Sequence, residues 1–306
     1  METTESTETV VAGTVVAKTA SAEPQRKRSE TLYFALRNKK LVIGLSLVLF
    51  LLLFAIFGPM FTDKDPFEFY EAYGEPPSKE HWFGTTSPGQ DVYAQFVYGL
   101  RSSFIVGAVA GCVAAAIGMA VGFAAGYRGG VVDEILTMLT NVVLVIPTIA
   151  VLIIVSAYLT VGSLLWEAVL IGVTSWPWAA RAIRAQTFSL VSRDFVSLAR
   201  LSGQSGWKII VKEIAPNMSS YLFLTFILLF GGSILIAATL DFLGLGPVEV
   251  MSLGLMLNVS VSNSALQLGM WWWFVAPGVG ITAIVAGLYV MNVGLDEVFN
   301  PRLRRT

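Results

Sequence analysis

Residues Arg193–Asn217 read RDFVSLARLSGQSGWKIIVKEIAPN, and this stretch decides how the rest of the chain is organised. It is the only long charged segment between strongly apolar blocks in the second half of the protein. Phe188, Val191, Phe195, Leu198 and Ser202 recur at three- and four-residue intervals, whereas Arg193, Ser197 and Arg200 take the opposite side, which predicts an amphipathic helix. Gly203 ends that helix. A second short run follows Gly206, with Trp207, Ile210, Val211 and Ile214 on one side and Lys208 and Lys212 on the other. Pro216 lacks an amide donor and suits the first turn of a further helix. The spacing predicts a helix, a glycine turn and a second helix lying at a membrane surface, within a loop bounded by residues 187–216.

The composition agrees with a membrane setting. The chain has 306 residues, of which 55% are hydrophobic and 13% charged, and its mean hydropathy of +0.69 is that of an integral membrane protein. A formal net charge of −1 leaves no basic face to neutralise phosphates, which argues against a nucleic-acid partner. The single cysteine, Cys112, excludes an intrachain disulfide, and its apolar, small-residue surroundings suggest a packed core position.

Outward from the charged stretch, six apolar blocks are expected to span the bilayer. Residues 1–30, rich in Thr, Ser, Glu and Ala without apolar periodicity, read as a disordered cytoplasmic tail. A basic lead-in (Arg26, Lys27, Arg28, Arg37, Lys39, Lys40) precedes the run Leu41–Phe61, so residues 31–61 form the first span and its approach. That run is too long and begins too late for a cleaved signal peptide, and no small-residue cleavage motif follows it. Residues 62–100, with seven acids and two lysines, form an extracytoplasmic segment, and residues 101–306 the remaining five-helix transmembrane domain.

The second span, about 104–127, carries Gly107, Gly111, Ala114, Gly118 and Gly122 at three- and four-residue spacing, a pattern that lets helix backbones approach closely. Asp133 and Glu134 fall in the first turn of the third span, at the positive end of its dipole. That span continues to Tyr158 and is kinked by Pro147. The fourth runs over 164–180, with Trp176-Pro177-Trp178 as interfacial anchors; the fifth runs from Pro216 to about Leu240; the sixth runs from Trp271 to about Val293. Between the last two, residues 247–270 form an outer loop with a short helix at 253–259. Glu167 and Asp241 are placed near outer ends, exposed to water.

Several motifs along this order resemble those of one family. Ser197-Leu198-Ala199, Gly203 and Ala215-Pro216 fall on the Glu-Ala-Ala, Gly and Leu-Pro positions of the cytoplasmic coupling (EAA) loop of ABC-importer permeases, with Ser197, Leu198 and Ala215 departing from that pattern. His81-Trp82-Phe83-Gly84-Thr85, Gly89-Gln90-Asp91-Val92 and Tyr98-Gly99-Leu100-Arg101-Ser102-Ser103 resemble the approach to the second span in the dipeptide, oligopeptide and nickel permease subfamily. Thr86 and Gln90 replace its Asp and Arg there. Asp241-Phe242-Leu243-Gly244-Leu245-Gly246 is similar to its Ser-Phe-Leu-Gly-Leu-Gly signature, and Asn300-Pro301-Arg302-Leu303-Arg304 to its Asp-Pro-Arg-Leu-Arg tail.

The resemblance implies an all-α, six-span permease with the type I ABC importer fold and an EAA-type coupling helix pair. It also implies a second homologous permease, two cytoplasmic ABC ATPases that use ATP and Mg, and an extracytoplasmic substrate-binding protein. No cofactor is expected on this chain. Peptides, oligosaccharides and nickel are all cargoes within the family. Coupling residues carried over by the resemblance are Arg193, Ser197, Leu198, Ala199, Arg200, Gly203 and Pro216, with Leu198 and Ala199 expected to pack into an ATPase groove.

Charge placement tests the topology separately. With both termini inside, 17 of the 20 Lys and Arg residues lie on the cytoplasmic side and only Lys64, Lys79 and Arg101 outside. No phosphate loop occurs: Gly203-Gln204-Ser205-Gly206-Trp207-Lys208 has neither its spacing nor a hydroxyl after the lysine, so ATP hydrolysis is expected in other subunits. His81, the only histidine, excludes a serine–histidine site and makes a metal centre improbable. A self-contained secondary transporter or a channel is the competing class. The former would be expected to carry ionisable residues near the bilayer midplane or an internal repeat, and neither is seen here.

Overall fold

The computed structural model describes residues 33–158 and 162–299; the 1–30 tail and the Asn300–Arg304 motif lie outside the described residues. Helices account for most of the fold. In chain order they are α1 (Lys39–Phe57, closed by a 3-10 turn at Gly58–Phe61), α2 (Val92–Arg128), α3 (Gly130–Val145), α4 (Thr148–Tyr158), α5 (Leu164–Val191), α6 (Asp194–Leu201), α7 (Gly206–Ile209), α8 (Ser219–Phe242), α9 (Leu253–Ser262) and α10 (Trp271–Phe299). A π-helical turn at Ile210–Ile214 and a single turn at Ala215–Asn217 join α7 to α8.

The axis of the bundle is α2. At 37 residues it is about 55 Å long at ~1.5 Å per residue, and it begins at Val92, well ahead of the expected span start. Asp91 caps it, its Oδ1 accepting from the Ala94 amide at 2.8 Å, and Val92, Ala94, Val97 and Leu100 are fully buried. The small residues of its second half meet α5 side by side. A Cβ built on Gly122 would lie 2.8 Å from the Ala180 carbonyl and 2.9 Å from Ile183 Cβ, so only glycine permits this approach. Gly118 meets Ala179 and Gly126 meets Thr187 in the same register, which makes α2 and α5 parallel neighbours and the most extensive helix pair in the fold. On the other side α8 packs on α2, and α1 lies along α10, with Lys40 and Asn38 hydrogen-bonded to Glu297.

Among the described residues four helices are long and apolar enough to cross a membrane: α1 with its 3-10 turn, α2, α8 and α10. The α3–α4 pair makes a fifth if the two are one span, bent by 75° where extended Ile146 precedes Pro147. The fourth expected span is α5, whose 28 residues suffice in length. Glu167, Arg181, Arg184 and Trp176-Pro177-Trp178 make it less apolar than the others. Trp176 is buried against α2 instead of anchoring at a surface, and Cys112, read as a packed core residue, is exposed on α2.

The 62–91 segment folds over one end of the bundle. Asp91 Oδ2 lies 2.7 Å from His81 Nδ1 and 3.1 Å from Lys64 Nζ, and Lys64 Nζ is 2.9 Å from His81 Nδ1. The Trp272 indole donates to the Thr85 carbonyl at 3.0 Å and ties this segment to α10. Burial pushes the Tyr70 phenol above its ordinary value, and its hydrogen bond to Glu68 adds to the shift.

Candidate functional site

The other end of α2 carries Arg193–Asn217. Ser192 and Arg193 break the line of α5: Arg193 takes an extended conformation (φ −81°, ψ 151°) and α6 starts at Asp194, with that acid in its first turn and Arg200 in its last, each complementing the helix dipole. Val196 and Ala199 are the buried positions of α6 and join Phe123, Ile183, Ile209, Ile210, Ile214 and Met218 in one apolar cluster. The expected partition of faces therefore changes. Leu198, read as part of the apolar seam, is 64% exposed, with Leu201 at 85% and Trp207 at 74%, while Ala199 is turned into the protein's own core and is not free to pack elsewhere.

The π turn explains the second half of this difference. With 4.4 residues per turn in place of 3.6, residues five apart come onto one face, so Ile209 and Ile214 point inward together and Trp207 and Val211 rotate out. Pro216 is exposed within the single turn before α8, which starts two residues beyond Asn217. Arg193, Ser197 and Arg200 are exposed as expected.

Gly203 makes the turn. Its φ of +72° lies in the left-handed region, its amide donates to the Arg200 carbonyl at 3.0 Å and the Gln204 amide donates to Ala199 at 3.2 Å, which closes the last turn of α6. A Cβ at this position would meet no atom within 4 Å, so it is the backbone conformation and not crowding within the chain that calls for glycine here. The loop is held to α2 by Tyr127: the Arg200 guanidinium stands 5.2 Å from its ring centroid, and a Cβ at Gly206 would be 2.8 Å from its ring edge.

Beneath the loop a polar clamp joins α3 to α5. Arg184 donates through Nε and Nη2 to the two carboxylate oxygens of Asp133, the latter at 2.5 Å, and Arg181 Nη2 donates to Asn141 Oδ1 at 2.7 Å. Asp133 was legible only as a helix-dipole residue, because its partner lies 51 residues away. Thr137, Thr140, Asn141, Arg181 and Arg184 line a gap of about 20 Å³, room for little more than a water molecule, so α3 and α5 meet closely here.

Two acids expected at exposed positions are buried instead: Glu167 is 2% and Asp241 5% exposed. Beside them, at the end of the bundle that carries α9, a cavity of about 380 Å³ is lined by Ser156, Ala157, Gly162 and residues 244–249.

Comparison with known proteins agrees with this arrangement. Residues 34–77 match the N-terminal TM domain of oligopeptide transport permease C. The chain is similar to the dipeptide transport system permease protein DppC of Alkalihalophilus pseudofirmus, 33% identical over 271 residues covering 88% of each protein. It is 30% identical over 274 residues to the oligopeptide transport system permease protein OppC of Bacillus subtilis, covering 88% of this chain and 87% of that protein. With DppC of the same organism the figures are 31% over 271 residues, 88% and 84%. Residues 118–305, which contain the Arg193–Asn217 segment and all of α5, α8 and α10, match the binding-protein-dependent transport system inner membrane components, and the chain belongs to that family of multi-pass membrane permeases.

Proposed function

We propose that this chain is one of two permease subunits in an ATP-driven importer of di- or oligopeptides, with α5 completing six spans and both termini cytoplasmic. The DppC and OppC names of its relatives support a peptide cargo. The charge distribution supports the orientation, since it leaves only Lys64, Lys79 and Arg101 outside.

The observation that carries the coupling role is the construction of the α6–Gly203–α7 segment. It is fastened to the bundle by Val196, Ala199, Ile209 and Ile214, yet it presents Leu198, Leu201 and Trp207 to solvent. A solvated connection would have no reason to be rigid and apolar at once, whereas a docking helix needs both. In this reading Leu198 and Leu201 enter a groove on a cytoplasmic ATPase, Arg193, Ser197 and Arg200 line the rim, and Pro216 sets the angle at which the segment meets α8. Closure of two ATPases on ATP pushes on α6, and the push passes through Tyr127 and the Arg184–Asp133 clamp to α2, α5 and α3. ATP and Mg belong to those partners. The 62–91 and 243–270 segments are the docking surface for a binding protein that delivers the cargo.

Uptake of a labelled peptide by cells or proteoliposomes containing the whole complex tests the reading. ATP-dependent uptake that is lost on depleting ATP while an ion gradient is maintained is the expected result. Uptake driven by the gradient alone contradicts it and favours a secondary transporter; uptake of oligosaccharide or nickel in place of peptide corrects the cargo only.

A further inference from the structure

Glu167 and Asp241 have no part in the coupling just described, and their surroundings are unusual. Glu167 sits in the first turn of α5 and Asp241 at the end of α8. Asp241 Oδ2 accepts from Ser252 Oγ at 2.6 Å, and its side chain is fitted against Gly246 and Gly254, where any Cβ would collide with it. Both carboxyl oxygens of Glu167 are buried without a hydrogen-bond partner among the described residues. Their chain neighbours Ala168 and Leu240 pack in one buried cluster, which brings the two acids to the same part of the bundle.

Among the described residues no counter-charge is supplied. Of the elements packed around the pair, α2 carries Arg101, which is exposed, α4 carries only Tyr158, 86% exposed, and α9 carries no ionisable side chain. The connection after α8 adds another acid, Glu249, exposed on the wall of the 380 Å³ cavity. Lys and Arg are absent between Arg128 and Arg181 and between Lys212 and Arg302. A bare carboxylate enclosed in this way is unfavourable by roughly several kcal/mol, and a second acid beside it adds to that. With both Glu167 oxygens covered there is no room for a hydrated ion. The positive charge that fits is a proton.

We propose that Glu167 and Asp241 form a proton-binding site that is filled while this end of the bundle is closed and emptied when it opens. Gly246 both lines the cavity and abuts Asp241, so one residue without a side chain separates that acid from the cavity. Parting of α5 from the α8–α9 connection admits that water. The Glu167 O–H bond then breaks, its electron pair stays on the carboxylate and the proton passes to water; the two carboxylates repel and hold the end open. A high proton activity in the cavity therefore favours the closed form and a low one the open form.

The test uses the full-length protein in its membrane complex, in lipid nanodiscs. Infrared spectroscopy at neutral pH should show the carbonyl band of a protonated, buried carboxylic acid, lost in Glu167→Gln, regained in Glu167→Asp and unchanged in Glu249→Gln. Spin labels at Leu165→Cys and Leu243→Cys, both exposed positions, on a Cys112→Ser background should report a distance that grows as pH rises and loses its pH dependence in Glu167→Gln. Glutamine is isosteric with the protonated acid, so that variant is expected to fold and to stay closed. Absence of the band, a band indifferent to Glu167→Gln, or an unchanged pH profile in that variant overturns the proposal. A band removed by NaCl but not by choline chloride assigns the site to an inorganic cation and overturns it as well. None of these readouts depends on the identity of the cargo.

Discussion

Gly203 offers the cleanest separation between what this chain needs and what a partner needs. Its φ of +72° is unfavourable for a residue with a Cβ by about 1–2 kcal/mol, roughly a 5- to 30-fold loss in the population of the turn. That is the whole intramolecular effect, because the added carbon would meet no atom within 4 Å and α6 stays anchored through Val196 and Ala199. Asparagine tolerates the left-handed region, so Gly203→Asn keeps the turn and adds bulk, whereas Gly203→Val adds bulk and strain. If a partner surface lies against this turn, both variants lose peptide uptake by at least about tenfold, the equivalent of ~1.4 kcal/mol, with membrane insertion and the melting of the isolated subunit close to wild type for Gly203→Asn. The assay pairs uptake in proteoliposomes with thermal unfolding in detergent. Normal uptake by Gly203→Asn and loss only in Gly203→Val would mean that turn geometry alone matters; normal uptake by both would remove Gly203 from the coupling machinery.

Three further outcomes follow from the packing. Arg184→Ala leaves Asp133 without its two-pronged partner and should destabilise the α3–α5 contact by about 1–3 kcal/mol, read as a lower melting midpoint, with Asp133→Asn milder because it keeps one acceptor. Gly122→Leu forces apart backbones that a Cβ already brings to 2.8 Å of a carbonyl, and should prevent assembly of α2 with α5, read as protease sensitivity of the membrane-inserted chain. Asp91→Ala removes the α2 cap and the shared partner of Lys64 and His81, a loss of about 2–4 kcal/mol concentrated in the 62–91 segment, which hydrogen exchange should report as faster exchange there and unchanged exchange in α6.

Much of this fold is written in runs of local sequence. The apolar blocks mark α1, α2, α8 and α10, Pro147 marks the 75° bend, and Gly203 marks the end of α6, because each depends on neighbours within a turn or two. The faces of α6 and α7 were less legible. A period of 3.6 residues grouped Leu198 with Phe195 and Trp207 with Ile210 and Ile214, and nothing in the residues of Ile210–Ile214 announces the π turn that brings Ile209 inward and leaves Trp207 out. Pairings across long separations were invisible for a different reason. Asp133 meets Arg184 only when α3 packs on α5, and Asp91 meets His81 and Lys64 only when the 62–91 segment folds back on the start of α2; a charge near a helix start looks the same whether or not a partner arrives. Glu167 and Asp241 were misplaced because an acid near a helix end is ordinarily solvated; the Gly246–Gly254 seat that buries Asp241 is a tertiary feature.

The most direct test of the coupling account is recovery of partners from the native membrane in mild detergent, comparing wild type with the double variant Leu198→Asp, Leu201→Asp. Both side chains are exposed in the subunit, at 64% and 85%, so the substitutions should leave its fold intact. The account predicts that wild type brings down a second permease and two ATPases, and that the variant keeps the permease and loses the ATPases. Wild-type chain recovered alone from a preparation whose other complexes survive, or ATPases retained by the variant, would contradict it.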